Sequence, residues 1–127
     1  MAKAIKLKNN TFIDSKGVVH NRQLLSDILT VKNYTAGNYL VNGWSSNGAS
    51  LVFNFNGLKV LVISVRFGTT NTIMQNLPSD MRPTYGFLVP ANDQHNSGWV
   101  SVNTNGTVTC SSNLVTSQAV QCVAVYY

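Results

Sequence analysis

The sequence predicts an all-β fold, an antiparallel β-sandwich or barrel of jelly-roll or Greek-key type, preceded by a short N-terminal helix. After about residue 33, the 127-residue chain alternates short apolar runs with Asn, Gly, Ser and Thr. Such runs recur every 8–12 residues or so, a spacing typical of sandwiches and barrels. Asn-Gly pairs at 56–57 and 105–106 indicate hairpin turns, because Asn and Gly tolerate positive φ. We therefore expect a leader, residues 1–32, and one β domain, residues 33–127.

The leader is basic and contains a helix-like stretch at residues 21–30. Six of the nine Lys and Arg residues precede residue 33. A helix of about ten residues is marginal in water, so its apolar stripe must pack against something. Val18, Leu25 and Ile28 fall near the a/d spacing of a coiled coil, which permits a threefold bundle between copies. Packing of the helix on its own β domain is the equally weighted alternative.

The β domain is predicted to contain eight strands. The segments 58–67 and 119–127 are apolar on both faces, which indicates strands covered on both sides. The last of them is expected to be central in the sheet or buried at an interface. The predicted strands span residues 39–44, 50–55, 58–67, 72–75, 84–89, 98–103, 107–110 and 119–127.

Composition and charge exclude several classes of protein. Charged residues make up 10% of the chain, against about 25% in an average protein, so amides and hydroxyls must solvate the surface. Such surfaces suit saccharides or contacts between copies, because amides both donate and accept hydrogen bonds. The net charge of +5 is concentrated in the leader instead of forming a basic stripe with aromatic residues, so we expect no nucleic acid partner. No run approaches the roughly 20 apolar residues of a membrane span, and Lys interrupts any N-terminal signal core.

The two cysteines allow at most one disulfide bond. If residues 107–110 and 119–125 paired as a hairpin, Cys110 and Cys122 would lie opposite each other, and a bridge would be geometrically possible. Reduced thiols are favoured for a chain made in a cytosol. The sequence has no CxxC and no His pair at ligand spacing, so we expect no metal and no cofactor.

The sequence also lacks the parts of an active site. Only four acidic residues are present, and Asp80 and Asp93 are the only two in the β domain. His20 and His95 have no Ser or Cys partner at the spacing of a known catalytic motif. We therefore expect that the protein is not an enzyme.

Two segments resemble proteins of phage tails. Residues 5–29, IKLKNNTFIDSKGVVHNRQLLSDIL, resemble the lead-in that precedes a C-terminal domain in tail and baseplate proteins. LPSDMRPTY at 77–85, followed by WVSVNTNGTV at 99–108, resembles the signature of receptor-binding head domains. The resemblance implies a homotrimer that recognises host cell-surface saccharide. It also implies synthesis in the host bacterial cytoplasm and assembly into the virion with other tail or baseplate proteins.

Trp99 is the first candidate for saccharide binding. Alternation along residues 98–103 assigns Val100 and Val102 to the core, and it leaves Trp99 on the other face with Ser101 and Asn103. The face of a Trp ring contacts the C–H groups of a sugar, while Asn and Ser bond its hydroxyls. The alternative is a Trp buried at a subunit interface.

The loop at residues 92–97 supplies further candidates. The resembling head domains bind saccharide with a mixture of Trp, His, Asp and Arg. This implies His95 and Asp93 as binding residues here, and Arg82 as a weaker candidate. Arg82 has a structural interpretation as well, since an Arg before Pro can fix a loop through carbonyl groups. Trp44 and Tyr85 are expected in the core or at an interface. The alternative function is a structural baseplate or capsid-decorating trimer with no ligand of its own.

Overall fold

A computed structural model describes residues 5–7, 10–13 and 31–127. The chain divides into two compact units, Met1–Val31 and Lys32–Tyr127. In the first unit, β1 (Ile5–Leu7) and β2 (Asn10–Ile13) pair in antiparallel orientation. The predicted helix at 21–30 lies outside the described residues, and so do its predicted interface residues Val18, Leu25 and Ile28.

The second unit is all-β, as the sequence predicted. Within the described residues, the helical segments are three short 3₁₀ turns, Ala36–Asn38, Ser79–Met81 and Ser112–Leu114. The strands are β3 (Val31–Tyr34), β4 (Ser45–Ser46), β5 (Leu51–Phe55), β6 (Leu58–Arg66), β7 (Thr72–Met74), β8 (Phe87–Asn92), β9 (Ser97–Val102), β10 (Val108–Cys110) and β11 (Val120–Tyr126).

These strands form a single sheet that curls into a half-barrel. Its order is β3-β5-β6-β11-β8-β9-β10-β7, and β4 pairs with the far end of β6. The terminal strand β11 lies between β6 and β8, so it is central in the sheet, one of the two places predicted for it. The predicted cover on both sides is wrong for the β domain alone, because Val123 and Val125 on the outer face are more than half exposed. Its register with β6 matches Val123 with Val62, and Gln121 faces Asn92 on β8.

The two Asn-Gly pairs form different turns. Asn56 and Gly57 both have positive φ, 50° and 90°, so they join β5 to β6 by the predicted two-residue type I′ turn. Between β9 and β10, only Gly106 has positive φ, at 85°. There the Asn103 N–H donates to the Thr107 carbonyl, which makes a longer hairpin loop that ends in a glycine bulge.

The inner face of the half-barrel holds the core. Side chains alternate along each strand, so one set points inward and the other outward. On β11 the inward set is Val120, Cys122, Ala124 and Tyr126, all buried. Other fully buried side chains are Leu61, Ile63, Val65, Ile73, Met74, Leu77, Met81, Val100, Val102, Val108 and Leu114.

Two expectations about pairing were wrong. Residues 39–44 are not a strand, because Asn42 and Gly43 both take positive φ and turn the chain after a single bridge between Leu40 and Met74. The hairpin between residues 107–110 and 119–125 does not form either. β10 pairs with β9 and β7, whereas β11 pairs with β6 and β8.

Cys110 and Cys122 are buried and free, in agreement with the favoured reduced state. Burial raises the pKa of the Cys110 thiol to about 11 and that of Cys122 to about 12. Both therefore remain neutral thiols that pack as small apolar side chains.

Side chains from three strands, β3, β5 and β11, donate hydrogen bonds to the 3₁₀ turn Ser79–Met81. The Tyr126 hydroxyl donates to the Met81 carbonyl at 2.7 Å, and the Asn54 amide donates to the Asp80 carbonyl at 2.7 Å. The Tyr34 hydroxyl donates to the Asp80 carboxylate at 2.7 Å, and this bond raises the pKa of Tyr34 to about 12. The loop that carries Arg82 is thereby held against the inner face.

Candidate functional site

The β8–β9 hairpin positions three of the five predicted binding residues. β8 and β9 pair from Phe87 opposite Val102 to Asn92 opposite Ser97. Asp93 begins the connecting turn, and its Oδ1 accepts hydrogen bonds from the backbone N–H groups of His95 and Asn96. A short acidic side chain that bonds the backbone two residues on is a standard way to close a turn. Asp93 therefore has a structural role in its own hairpin.

The second oxygen of Asp93 bonds to another part of the chain. The Ser117 hydroxyl donates to Asp93 Oδ2 at 2.6 Å and links the hairpin to the segment before β11. This hydroxyl, followed by the N–H groups of His95 and Asn96, holds the pKa of Asp93 well below its usual range. The carboxylate is therefore ionised at all pH values near neutrality, and it fixes the distance between the turn and that segment.

A polar cleft opens between the turn and the segment Thr116–Ala119. Its lining combines side-chain amides, an imidazole and hydroxyls, which offer both donors and acceptors. The residues that line it are Asp93, Gln94, His95, Thr116, Ser117, Gln118 and Ala119. A shallower depression bounded by Asn92 and Gln121 adjoins it and leads onto the outer face of the sheet. We call the first of these depressions the polar cleft.

Thr116, which lines the polar cleft, has an unusual backbone conformation. Its φ is +69°, a left-handed conformation that is rare for a β-branched residue and usually costs free energy. Two hydrogen bonds support it, from Thr116 N–H to the Gly68 carbonyl and from Phe67 N–H to the Ser117 carbonyl. No Gly or Asn next to Thr116 signals this conformation, and Thr116, Gln94 and Gln118 were not among the predicted site residues.

Trp99 lies on the outer face of β9, as the alternation predicted. Val100 and Val102 are fully buried on the inner face, whereas Trp99 is 39% exposed. Across the hairpin it faces Pro90, and its backbone N–H donates to the Ser111 hydroxyl. Along the strand the Ser101 hydroxyl donates to Asn103, so Trp99, Ser101 and Asn103 share one side. The ring is thus available at the surface, beside hydroxyl and amide groups.

The other tryptophan contrasts with Trp99. Trp44 is 4% exposed, and its Nε1 donates to the Thr70 carbonyl at 2.9 Å. Gly68 lies directly against the ring, since a Cβ at that position would be 1.9 Å from a ring carbon. Trp44 is therefore a core residue, one of the two places predicted for it. Tyr85, by contrast, is 82% exposed and does not belong to the core.

Asn103 and Arg82 lie at the opposite end of β9 from the polar cleft. The Asn103 amide donates to the carbonyl and hydroxyl oxygens of Thr107 and closes the β9–β10 loop. Arg82 Nε donates to the Leu77 carbonyl at 2.8 Å, and the Lys59 ammonium donates to the Arg82 carbonyl. Arg82 thus has the loop-fixing contacts of its structural interpretation.

The five candidates therefore do not form one compact site. Asp93 and His95 lie in the polar cleft, and Trp99 lies on the outer face two residues beyond Ser97. Asn103 and Arg82 lie at the opposite end of β9 from the polar cleft. Ser97 and Asn103 are six positions apart along an extended chain, which is roughly 20 Å. One sugar ring cannot contact both ends, so Trp99 and the polar cleft are the parts that a single short glycan could reach together.

No protein-family model matches this chain, and no curated protein matches it either. Among the described residues, no group of three or more His, Cys, Asp or Glu side chains could hold a metal ion. Among the helices that the structure describes, none is long and apolar enough to cross a membrane.

Proposed function

We propose that this protein is a receptor-binding head of a phage tail fibre or baseplate, which binds host cell-surface saccharide without catalysing a reaction. In this proposal it acts as a homotrimer in the virion, next to other tail or baseplate proteins, after synthesis in the host bacterial cytoplasm. The support comes from the resemblance of residues 77–85 and 99–108 to such heads and from the chemistry of the β8–β9 hairpin.

The exposed ring of Trp99 is the observation that carries the proposal. Leaving a large aromatic side chain in water has a cost in free energy, because its apolar face is not buried. Here the neighbouring inward positions on the same strand, Val100 and Val102, are fully buried, and Trp99 is exposed because it lies on the other face. An exposed Trp beside hydroxyl and amide groups is the arrangement that proteins use to stack on sugars.

The polar cleft would supply the hydrogen bonds. Gln94, His95 and Gln118 line it with groups that donate and accept, which matches the hydroxyls of a saccharide. Asp93 contributes by holding the cleft open at a fixed width through Ser117. A rigid hairpin that carries both the ring and the polar groups reduces the entropy lost on binding.

The test is binding of fluorescently labelled protein to bacterial cells and to purified cell-wall polysaccharide. We expect Trp99→Ala to weaken binding by about 1–3 kcal/mol, as expected when an aromatic contact at the centre of a binding site is truncated. The melting temperature should change little, because the ring is not part of the core. Release of reducing ends from the polysaccharide, measured in parallel, should not rise above the buffer control.

Two controls separate binding from folding. Tyr85→Ala removes another exposed aromatic side chain and should leave binding unchanged, whereas Trp44→Ala should destabilise the fold by about 3–5 kcal/mol. If Trp99→Ala instead lowers the melting temperature as Trp44→Ala does, Trp99 is a structural residue. If it retains full binding to cells that the wild-type protein labels, the saccharide site lies elsewhere.

The second candidate function is a structural baseplate or capsid-decorating trimer with no ligand. It is favoured by the exposed apolar side chains on the outer face of the sheet, which suit protein contacts better than sugars. In that case Gln94→Ala, His95→Ala and Trp99→Ala would all leave the protein functional in virion assembly. Loss of adsorption with normal assembly would instead support the receptor-binding function.

A further inference from the structure

One end of the outer face of the sheet is apolar across four adjacent strands, whereas Ser64, Asn92 and Gln121 lie at the other end. On β11 the outward residues Val123 and Val125 are 58% and 57% exposed, although the strand is central in the sheet. Their partners on β6 are Val62 and Val60, and these face Leu51 and Phe53 on β5. We call this set the outer apolar face. Its members are Leu51, Phe53, Phe55, Val60, Val62, Leu88, Val123 and Val125.

The outer apolar face is large for a free surface. From the exposed fractions of its members, it presents roughly 500 Å² of apolar side chain, near the upper end of the largest patches on monomeric proteins. Two such faces that covered each other completely would bury roughly 1,000 Å², the lower limit for a specific protein interface. Trp99 lies at the edge of this face, on the far side of Pro90.

The chemistry of the face indicates the kind of partner. Its members carry no charge. Of the two charged residues in the same strands, Lys59 points to the opposite face, where its ammonium lies 5.8 Å from the Tyr126 ring, and Arg66 ends β6 four residues beyond Val62, outside the face. A membrane surface would favour basic groups at the contact, and a saccharide would need donors and acceptors there. A second copy of the same apolar sheet needs neither, because two apolar faces are complementary to each other.

We propose that the outer apolar face is the contact surface between copies of this chain. In this arrangement two sheets pack face to face at a spacing of about 10 Å, as the two layers of a β-sandwich do. Such a contact is twofold, so it joins copies in pairs and is additional to the threefold assembly proposed above. The outer apolar face of each half-barrel is thereby covered by another copy. The contact is made by the β domain and is separate from the helix predicted in the leader.

The test measures self-association of the full chain by sedimentation over a range of concentrations up to roughly 100 µM. We expect the wild-type protein to sediment as a multiple of the 13.8 kDa protomer. The double variant Val123→Lys, Val125→Lys should raise the dissociation constant about 100-fold or more, because buried lysines would face each other. The control Tyr85→Lys adds a charge at an exposed position outside the face and should have no effect.

Circular dichroism at low concentration shows whether the variants fold. If the lysine variant does not fold, the double variant Val123→Thr, Val125→Thr replaces it, since Thr is β-branched and similar in size to Val; it should weaken association about tenfold. A wild-type protein that is monomeric at every concentration overturns the proposal. Unchanged association of a folded variant overturns it as well, and it would assign the contact to another surface, such as the leader.

Discussion

The two faces of the half-barrel are made of similar residues but have different surroundings. On β11, Val120 of the inner face is fully buried, whereas Val123 and Val125 of the outer face are more than half exposed. Both faces continue across β6, where Leu61 and Ile63 point inward and Val60 and Val62 outward. Curling of the sheet buries one face only. An apolar second face therefore indicates that something other than the β domain itself covers it, whereas a sheet with a solvated second face would be polar there.

The largest expected effect comes from removing residues of both faces of β11 at once. Deleting residues 123–127 removes half of β11 and leaves β6 and β8 without their shared partner. It also removes the buried Ala124 and Tyr126, together with the hydrogen bond from Tyr126 to Met81. We expect this truncation to abolish soluble expression. Deleting Tyr127 alone, an exposed residue outside β11, should leave expression normal.

A matched pair of valines measures the difference between the faces directly. Val120→Ala removes two methyl groups from the inner face and should lower the free energy of unfolding by about 2 kcal/mol. Val125→Ala makes the same change on the outer face of the same strand and should cost less than about 0.5 kcal/mol in the monomer. Urea denaturation at a low protein concentration checks both values. Equal costs would mean that Val125 is already covered within the monomer.

Local patterns in the sequence predicted much of this fold. Asn56-Gly57 predicted its turn, because the positive φ it needs is a property of those two residues. Alternation placed Val100 inward and Trp99 outward, since the direction of side chains along a strand depends only on position. Apolar residues on both faces of β11 predicted a place in the centre of the sheet or at an interface, and the strand is central.

Pairing over long distances was not predictable in the same way. The β10–β11 hairpin was wrong because neighbouring strands in sequence need not be neighbours in a sheet, and β11 instead inserts between β6 and β8. The same limit applies to the site. Asp93 and Arg82 were grouped by residue type, yet Asp93 lies in the turn before β9 and Arg82 lies in a separate loop near the other end of that strand. Thr116 joins the polar cleft through Ser117 and Asp93, a contact between residues 24 positions apart.

The smallest expected effect concerns the polar end of the hairpin. The ionised Asp93 carboxylate accepts hydrogen bonds in the folded protein that it lacks when unfolded, so its pKa is lowered on folding. Its contribution to stability is therefore fully present above the ordinary pKa, near 3.8, and is lost as the pH falls below that value toward the lowered pKa. Asp93→Asn removes the charge and makes this contribution independent of pH.

The measurement is the melting temperature of wild-type protein and Asp93→Asn at pH 7 and at about pH 3. At pH 7 we expect the wild-type protein to have a higher melting temperature than Asp93→Asn. At pH 3 the difference between the two melting temperatures should be smaller, by a modest amount because solvent screens an exposed group. His95→Ala is the control, since the hydrogen bond to Asp93 comes from the backbone of His95 and survives that change. A gap of the same size at both pH values would mean that the charge of Asp93 does not hold the polar cleft together, and that its bond to Ser117 acts as a neutral contact.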